Sequence, residues 1–65
     1  MQISPEKLQL VMAKKCIGVN ALAKKAGVSQ PTVSRYRNYV APNQSLRVIG
    51  LLAKALEVDP SEITD

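Results

Sequence analysis

The stretch from Leu22 to Asn38, LAKKAGVSQPTVSRYRN, constrains the fold more than any other part of this 65-residue chain. A helix-forming run ends at Gly27, and glycine readily takes the left-handed conformation in which many helices terminate. Ser29 is a favourable N-cap for a second helix. Pro31 falls in the first turn of that helix, where the missing N–H does no harm. The sequence therefore predicts two short helices joined by a tight turn.

Spacing also predicts which side chains of these two helices face inward. The earlier helix, the second of the chain, is expected from about Val19 to Ala26. Apolar residues three or four apart lie on one face of a helix. The predicted inward residues are Leu22, Ala23, Ala26, Val33 and Tyr36.

The residues before this unit predict one amphipathic helix. Ser4 suits its N-cap and Pro5 its first position. Its apolar residues then share one face, which we expect to be buried. They are Leu8, Val11, Met12 and Cys16. Gly18 is expected to stop or interrupt this helix.

The residues after the unit predict two more helices. A loop is expected over residues 38–43, and a fourth helix from about Gln44 to Leu56. Asp59–Pro60–Ser61–Glu62 has the pattern of a capped helix start, with about one turn following. The predicted buried residues of the fourth helix are Leu46, Ile49, Leu52, Ala53 and Leu56. We therefore expect an all-α fold of five helices, the fifth short, in a single domain over residues 1–65.

Basic residues dominate the body of the chain. The formal net charge is +4, and no acidic residue lies between Glu6 and Glu57. All nine Lys and Arg residues fall inside that span. This distribution suits a polyanionic partner such as nucleic acid, although a solvated lysine-rich surface gives the same pattern.

Composition gives little support to catalysis, metal binding or membrane insertion. The chain has no His and one Cys. It therefore has neither a zinc-ligand cluster, nor an intramolecular disulfide, nor a base to activate a nucleophile. The apolar runs are too short to cross a bilayer, and no signal-peptide pattern is present. We expect a cytoplasmic, nucleoid-associated protein that is not an enzyme and needs no cofactor.

The order of helix, helix–turn–helix, loop, helix and short helix resembles the Cro/repressor-type (XRE, lambda-repressor-like) family of DNA-binding domains. The resemblance covers about Ile3 to Ile63, most specifically LAKKAGVSQPTVSRYRN and SLRVIGLLAKALEVDPSEI. The LacI family resembles the first stretch as well. Its DNA-binding headpieces, however, begin directly with the helix–turn–helix, whereas this chain places a full helix before it.

This resemblance implies a sequence-specific regulator of transcription that binds double-stranded DNA. A repressor or Cro-like switch of a prokaryote, phage or mobile element fits it best. Helices 2 and 3 would form the helix–turn–helix, with about Ser29 to Asn38 in the major groove. A protein-interaction or antitoxin-like module, which keeps the fold without reading DNA, is the alternative.

The resemblance and the chemistry of the bases together select candidate contacts. Arg can bond O6 and N7 of guanine, Gln can bond N6 and N7 of adenine, and Thr or Pro can pack on a thymine methyl. The candidates for base contacts are Gln30, Pro31, Thr32 and Arg35. The candidates for contacts with the DNA backbone are Lys24, Lys25, Ser29, Ser34, Arg37, Asn38 and Arg47.

Three features depart from the pattern of the family. Val19 stands where many relatives carry a Gln that braces a phosphate. Met12 and Arg37 stand where relatives often pair an Arg with a Glu, and Tyr39 replaces a frequent Gly. These departures bear on phosphate contacts more than on the fold.

Two copies are expected to bind a palindromic or pseudo-palindromic operator, because one recognition helix covers only a few base pairs. The fourth helix carries apolar residues outside its buried face, with Gly50 among them. The candidates for a homodimer contact are Val48, Leu51 and Ala55. Scattered apolar surface residues, which are common, are the alternative interpretation.

Overall fold

A computed structural model describes residues 2–40 and 44–65, so the loop predicted over 38–43 lies partly outside the described residues. The elements are α1 (Pro5–Lys15), α2 (Val19–Ala26), α3 (Gln30–Asn38), α4 (Leu46–Leu56) and a 3₁₀ turn (Pro60–Glu62). No strand is formed within the described ranges, which confirms the all-α class. The predicted fifth helix is only this three-residue turn.

α1, α3 and the 3₁₀ turn each begin at a side chain that accepts a hydrogen bond from a free backbone N–H group. Ser4 accepts from the N–H of Lys7 at the start of α1. Ser29 does the same for α3. Asp59 forms a capping box with Glu62 at the 3₁₀ turn. These N-caps match the predicted ones. Ser and Asp are favoured at such positions because their side-chain oxygens accept these hydrogen bonds.

The helix ends agree less closely with the sequence. Gly27 ends α2 in the left-handed conformation, with φ of 75°, as predicted. Cys16 ends α1 in the same conformation, with φ of 53°. The predicted burial of Cys16 is wrong. α1 ends at Lys15, so Cys16 does not continue its apolar face, and the thiol is exposed. Gly18 is the N-cap of α2 rather than the end of α1.

The core is built from aliphatic side chains of all four helices. Its largest fully buried members are Ile3, Leu8, Leu22, Val33, Ile49, Leu52, Leu56 and Ile63. The predicted burial of Leu46 is wrong: the residue is 71% exposed. Leu46 is the first residue of α4, which begins two residues later than expected. Its side chain therefore lies at the end of the helix, outside the core.

The two ends of the chain are joined in a terminal clasp formed by residues 2–4 and 63–65. Ile3 and Thr64 form an isolated antiparallel bridge. The N–H of Ser4 donates to the carbonyl of Ile63 at 2.9 Å. Lys7 Nζ donates to the carbonyl of Thr64 at 2.8 Å. The clasp buries Ile3 and Ile63 and closes the core at α1.

Candidate nucleic-acid interface

The turn between α2 and α3 sets the position of α3. After Gly27, the N–H of Val28 donates to the carbonyl of Ala23 at 3.0 Å, which completes the cap of α2. Val33 and Tyr36 then hold α3 on the core, and both are buried. Because two inward residues three apart fix the rotation of a short helix, the other side chains of α3 are either exposed or half-buried at the edge of the core.

The outward face of α3 carries the strongest base-contact candidates. Pro31, Arg35 and Asn38 follow one another at spacings of four and three and are exposed. Gln30, at the first position of α3, is also exposed. Among residues 2–40 and 44–65, the side chains of Gln30 and Arg35 have no hydrogen-bond or ion-pair partner. Their donors are therefore available to a ligand.

Thr32 differs from the other base-contact candidates because its hydroxyl belongs to the helix cap. The hydroxyls of Ser29 and Thr32 lie 2.7 Å apart and share a hydrogen bond. The N–H of Thr32 also donates to Ser29 Oγ at 3.3 Å. These bonds fix the first turn of α3, and Thr32 itself is half-buried.

Three backbone-contact candidates form a chain of hydrogen bonds at the end of α3. Arg37 Nη1 donates to Asn38 Oδ1 at 3.2 Å. Asn38 Nδ2 donates to Ser34 Oγ at 3.2 Å. The chain restrains all three side chains, and Arg37 and Ser34 are half-buried.

The remaining cationic candidates are exposed but differ in their surroundings. Lys25 Nζ lies 3.5 Å from Glu57 Oε2, which directs it towards the end of α4. Exposed pairs of this kind are worth about 0–1 kcal/mol, so this one can open at little cost. Lys24 and Arg47 have no such partner in the part of the chain that the structure describes.

Three of the four residues that depart from the family pattern lie around one groove, and Tyr39 lies outside it. Met12, Val19 and Arg37 line one open groove of about 410 Å³ between α1 and the start of α2. Gln9 lies on the same groove and donates from Nε2 to the main-chain oxygen of Arg37 at 2.7 Å. Sequence reasoning missed Gln9, because no spacing rule distinguishes one exposed glutamine on a helix from another.

The candidates for a dimer contact do not form one exposed row. Val48 and Leu51 are half-buried and pack against the core. Ala55 is only 5% exposed and belongs to the core itself. Large apolar side chains are exposed elsewhere, at Leu10, Tyr39, Val40 and Leu46.

Two other kinds of site are absent from the described residues. No group of three or more His, Cys, Asp or Glu residues there lies close enough together to hold a metal ion. None of their helices combines the length and the apolar character needed to cross a membrane.

Comparison with protein families agrees with this geometry. A family model described as a Cro/C1-type HTH DNA-binding domain matches residues 7–65. The match includes all of α2, α3 and α4 and most of α1. Neither a curated protein nor a solved structure matches the chain.

Proposed function

This chain belongs to the Cro/C1-type HTH DNA-binding domain family, and we propose that it is a sequence-specific regulator of transcription. The family binds double-stranded DNA and in general carries no catalytic activity. In the proposed complex α3 lies in the major groove and residues 1–65 act as one DNA-binding unit. A repressor or Cro-like switch is the role we propose.

The observation that carries this proposal is the outward face of α3. Arg35 and Gln30 are exposed and have no partner among the described residues. We assign Arg35 to the O6 and N7 of a guanine and Gln30 to the N6 and N7 of an adenine. Pro31, exposed beside Gln30, is assigned to a thymine methyl.

The proposed backbone contacts come from cations and from the polar chain at the end of α3. Lys24, Arg37 and Arg47 meet phosphates, and Ser34 and Asn38 hold Arg37 in place. Three such cationic contacts give a slope of log affinity against log salt of about −3 for each copy, at about −0.9 for each phosphate neutralised. Ser29 and Thr32 act mainly by fixing the first turn of α3.

Selection of bound duplexes from a random pool tests the proposal directly. The wild type is expected to recover one motif. Arg35→Ala is expected to lose preference at a single base position, because a bidentate Arg–guanine pair is worth about 1–3 kcal/mol of discrimination. Affinity for random duplex should be largely kept.

Lys24→Ala is the matched control, since it removes one exposed cation without touching α3. It should weaken binding to all sequences alike and reduce the salt slope by about 1. The same motif from wild type and Arg35→Ala would contradict the assignment of Arg35. Absence of salt-dependent duplex binding, together with tight binding to a protein, would favour the interaction-module alternative.

We also propose that two copies assemble on a palindromic operator through Leu51 and Val48 of α4. Both side chains are half-buried, so each keeps apolar surface for a second copy. Leu51→Glu should weaken binding to a full palindrome more than to a half-site. Leu10→Glu places the same charge on an exposed leucine of α1 and should affect the two duplexes equally. Equal effects of Leu51→Glu on both duplexes would exclude this contact.

A further inference from the structure

The end of α3 differs from the ends of the other described helices. Cys16, Gly27 and Glu57 end α1, α2 and α4 in the left-handed conformation, and each returns its N–H to two carbonyls. Tyr39, which ends α3, is extended, with φ of −158°, and its N–H reaches only the carbonyl of Arg35. The last carbonyls of a helix lack partners within it, so α3 needs a donor from elsewhere.

Gln9 of α1 supplies that donor. Its Nε2 lies 2.7 Å from the main-chain oxygen of Arg37, the last residue but one of α3. This distance is at the short end of the range for N–H···O hydrogen bonds. The bond joins residues 28 apart in sequence, so it ties α1 to the end of α3.

The place of this bond matters because Arg37 begins the polar chain. Its guanidinium donates to Asn38, which donates to Ser34. Because Gln9 bonds the backbone of Arg37, it fixes the position from which the Arg37 side chain extends. The guanidinium itself makes no bond to Gln9 and can bond other groups. Met12, one turn further along the same face of α1, is apolar and can make no such bond to Arg37.

We propose that Gln9 is a positioning residue for DNA binding. It caps α3 from α1 and holds Arg37, with Asn38 bonded to it, where the guanidinium meets the phosphate backbone. This inference rests on the proposed function, because it assigns a role within the DNA complex. Gln9 itself needs no contact with a base. Gln30 lies at the opposite end of α3, and Arg35 shares the last turn with Arg37 but has an exposed side chain without a partner among the described residues.

Gln9→Met tests the role, because methionine is neutral, is of similar length and donates no hydrogen bond. Binding to a duplex that carries the selected motif is measured across a range of salt concentrations. The salt slope should become less steep by about 0.9 for each phosphate that the variant no longer neutralises. Affinity should fall roughly two- to tenfold, the usual effect of one hydrogen bond. The motif selected from a random pool should be unchanged. Leu10→Met, a neutral change at the exposed neighbour on α1, should alter none of these.

Two further measurements separate positioning from a general loss of structure. In an Arg37→Ala background, Gln9→Met should have a smaller effect on the salt slope, because the side chain that it positions is gone. Amide hydrogen exchange at Tyr39 should be faster in free Gln9→Met than in the free wild type, while exchange at Leu52 is unchanged.

The outcomes for Gln9 and for the proposed function can be told apart. A wild type that binds duplex with the expected salt dependence, beside a Gln9→Met variant with the same slope, overturns the role of Gln9 alone. A wild type without salt-dependent duplex binding overturns the proposed function, whatever the exchange at Tyr39 shows.

Discussion

The third and fourth helices are similar in length and opposite in character. α4 has 11 residues, of which five are buried: Ile49, Leu52, Ala53, Ala55 and Leu56. α3 has nine residues, of which only Val33 and Tyr36 are buried. α4 is therefore the helix that stabilises the core, while α3 uses most of its length for an exposed polar face. Most of the buried surface and the proposed recognition surface therefore lie on different helices.

α3 has few buried side chains, and both of its ends are held by hydrogen bonds to the rest of the chain. A nine-residue helix is too short to be stable alone in water, so these bonds and its packing against α1 and α2 must hold it. Its start is held by the Gly27 turn and the Ser29 cap, and its end by Gln9. α4 has no side-chain hydrogen bond at its own N-cap, Ser45. Burial along α4 makes such a bond unnecessary.

The largest expected effect comes from truncating the core face of α4. Leu52 is fully buried, so Leu52→Ala should lower the free energy of unfolding by about 2–5 kcal/mol through reduced burial and a residual cavity. Leu46→Ala, on the exposed end of the same helix, should change it by less than about 0.5 kcal/mol. Urea denaturation checks both. Similar losses in the two variants would contradict the division of α4 into a buried and an exposed side.

The turn that leads into α3 gives the next largest effect. Gly27 has φ of 75°, and a Cβ there would meet no atom within 4 Å, so only the backbone penalty applies. Gly27→Ala should therefore cost about 1–2 kcal/mol of unfolding free energy.

Cys16 provides the matched reverse change. It already holds φ of 53° with a side chain present, so Cys16→Gly should stabilise the protein, by up to about 1 kcal/mol. Thermal unfolding should show a lower midpoint for Gly27→Ala and a higher midpoint for Cys16→Gly than for the wild type. A stabilising Gly27→Ala, or a destabilising Cys16→Gly, would contradict the left-handed assignment at that position.

The two N-caps test the contrast between α3 and α4 most directly. Ser29 accepts from the N–H of Thr32, whereas Ser45 makes no side-chain cap bond. Ser29→Ala should cost about 1 kcal/mol, the usual loss for a serine cap. Ser45→Ala should cost less than about 0.5 kcal/mol. Unfolding free energies from urea titration compare them. An equal loss would mean that α4 depends on its cap as much as α3 does.

Most of the fold could be predicted because its signals are local. The bounds of α2, the N-caps of α1 and α3, and the burial of Val33 and Tyr36 all agree with the sequence pattern. The prediction failed at two helix ends. A cysteine in the left-handed conformation carries no sequence signal, since glycine is the usual sign of such a cap. Leu46 has the right spacing for the core, but periodicity does not locate the residue at which a helix begins.

The candidate site was predictable where it depends on α3 alone. Exposure of Gln30 and Arg35 follows from the inward positions of Val33 and Tyr36. Contacts between distant parts of the chain could not be found in this way. The bond from Gln9 to Arg37 and the ion pair of Lys25 with Glu57 join residues 28 and 32 apart. Only the packing of the helices brings such groups together.

The smallest expected effect lies at the turn that supports α4 from the end of the chain. The backbone N–H of Ser61 donates to Asp59 Oδ1 at 2.9 Å. This bond, with a second from the Ser61 side chain, lowers the pKa of Asp59 below its usual value of 3.8. The folded state therefore favours the charged form of Asp59. The stability that this carboxylate contributes is fully present above pH 3.8 and is lost as the pH falls through its lowered pKa.

Asp59→Asn keeps an acceptor at this position and removes the titration. The difference in unfolding free energy between wild type and Asp59→Asn should thus be constant at neutral pH and shrink as the pH falls below 3.8. Asp59 is fully exposed, so solvent screening keeps the change small. A difference that does not vary with pH would show that the Ser61 bonds do not favour the carboxylate.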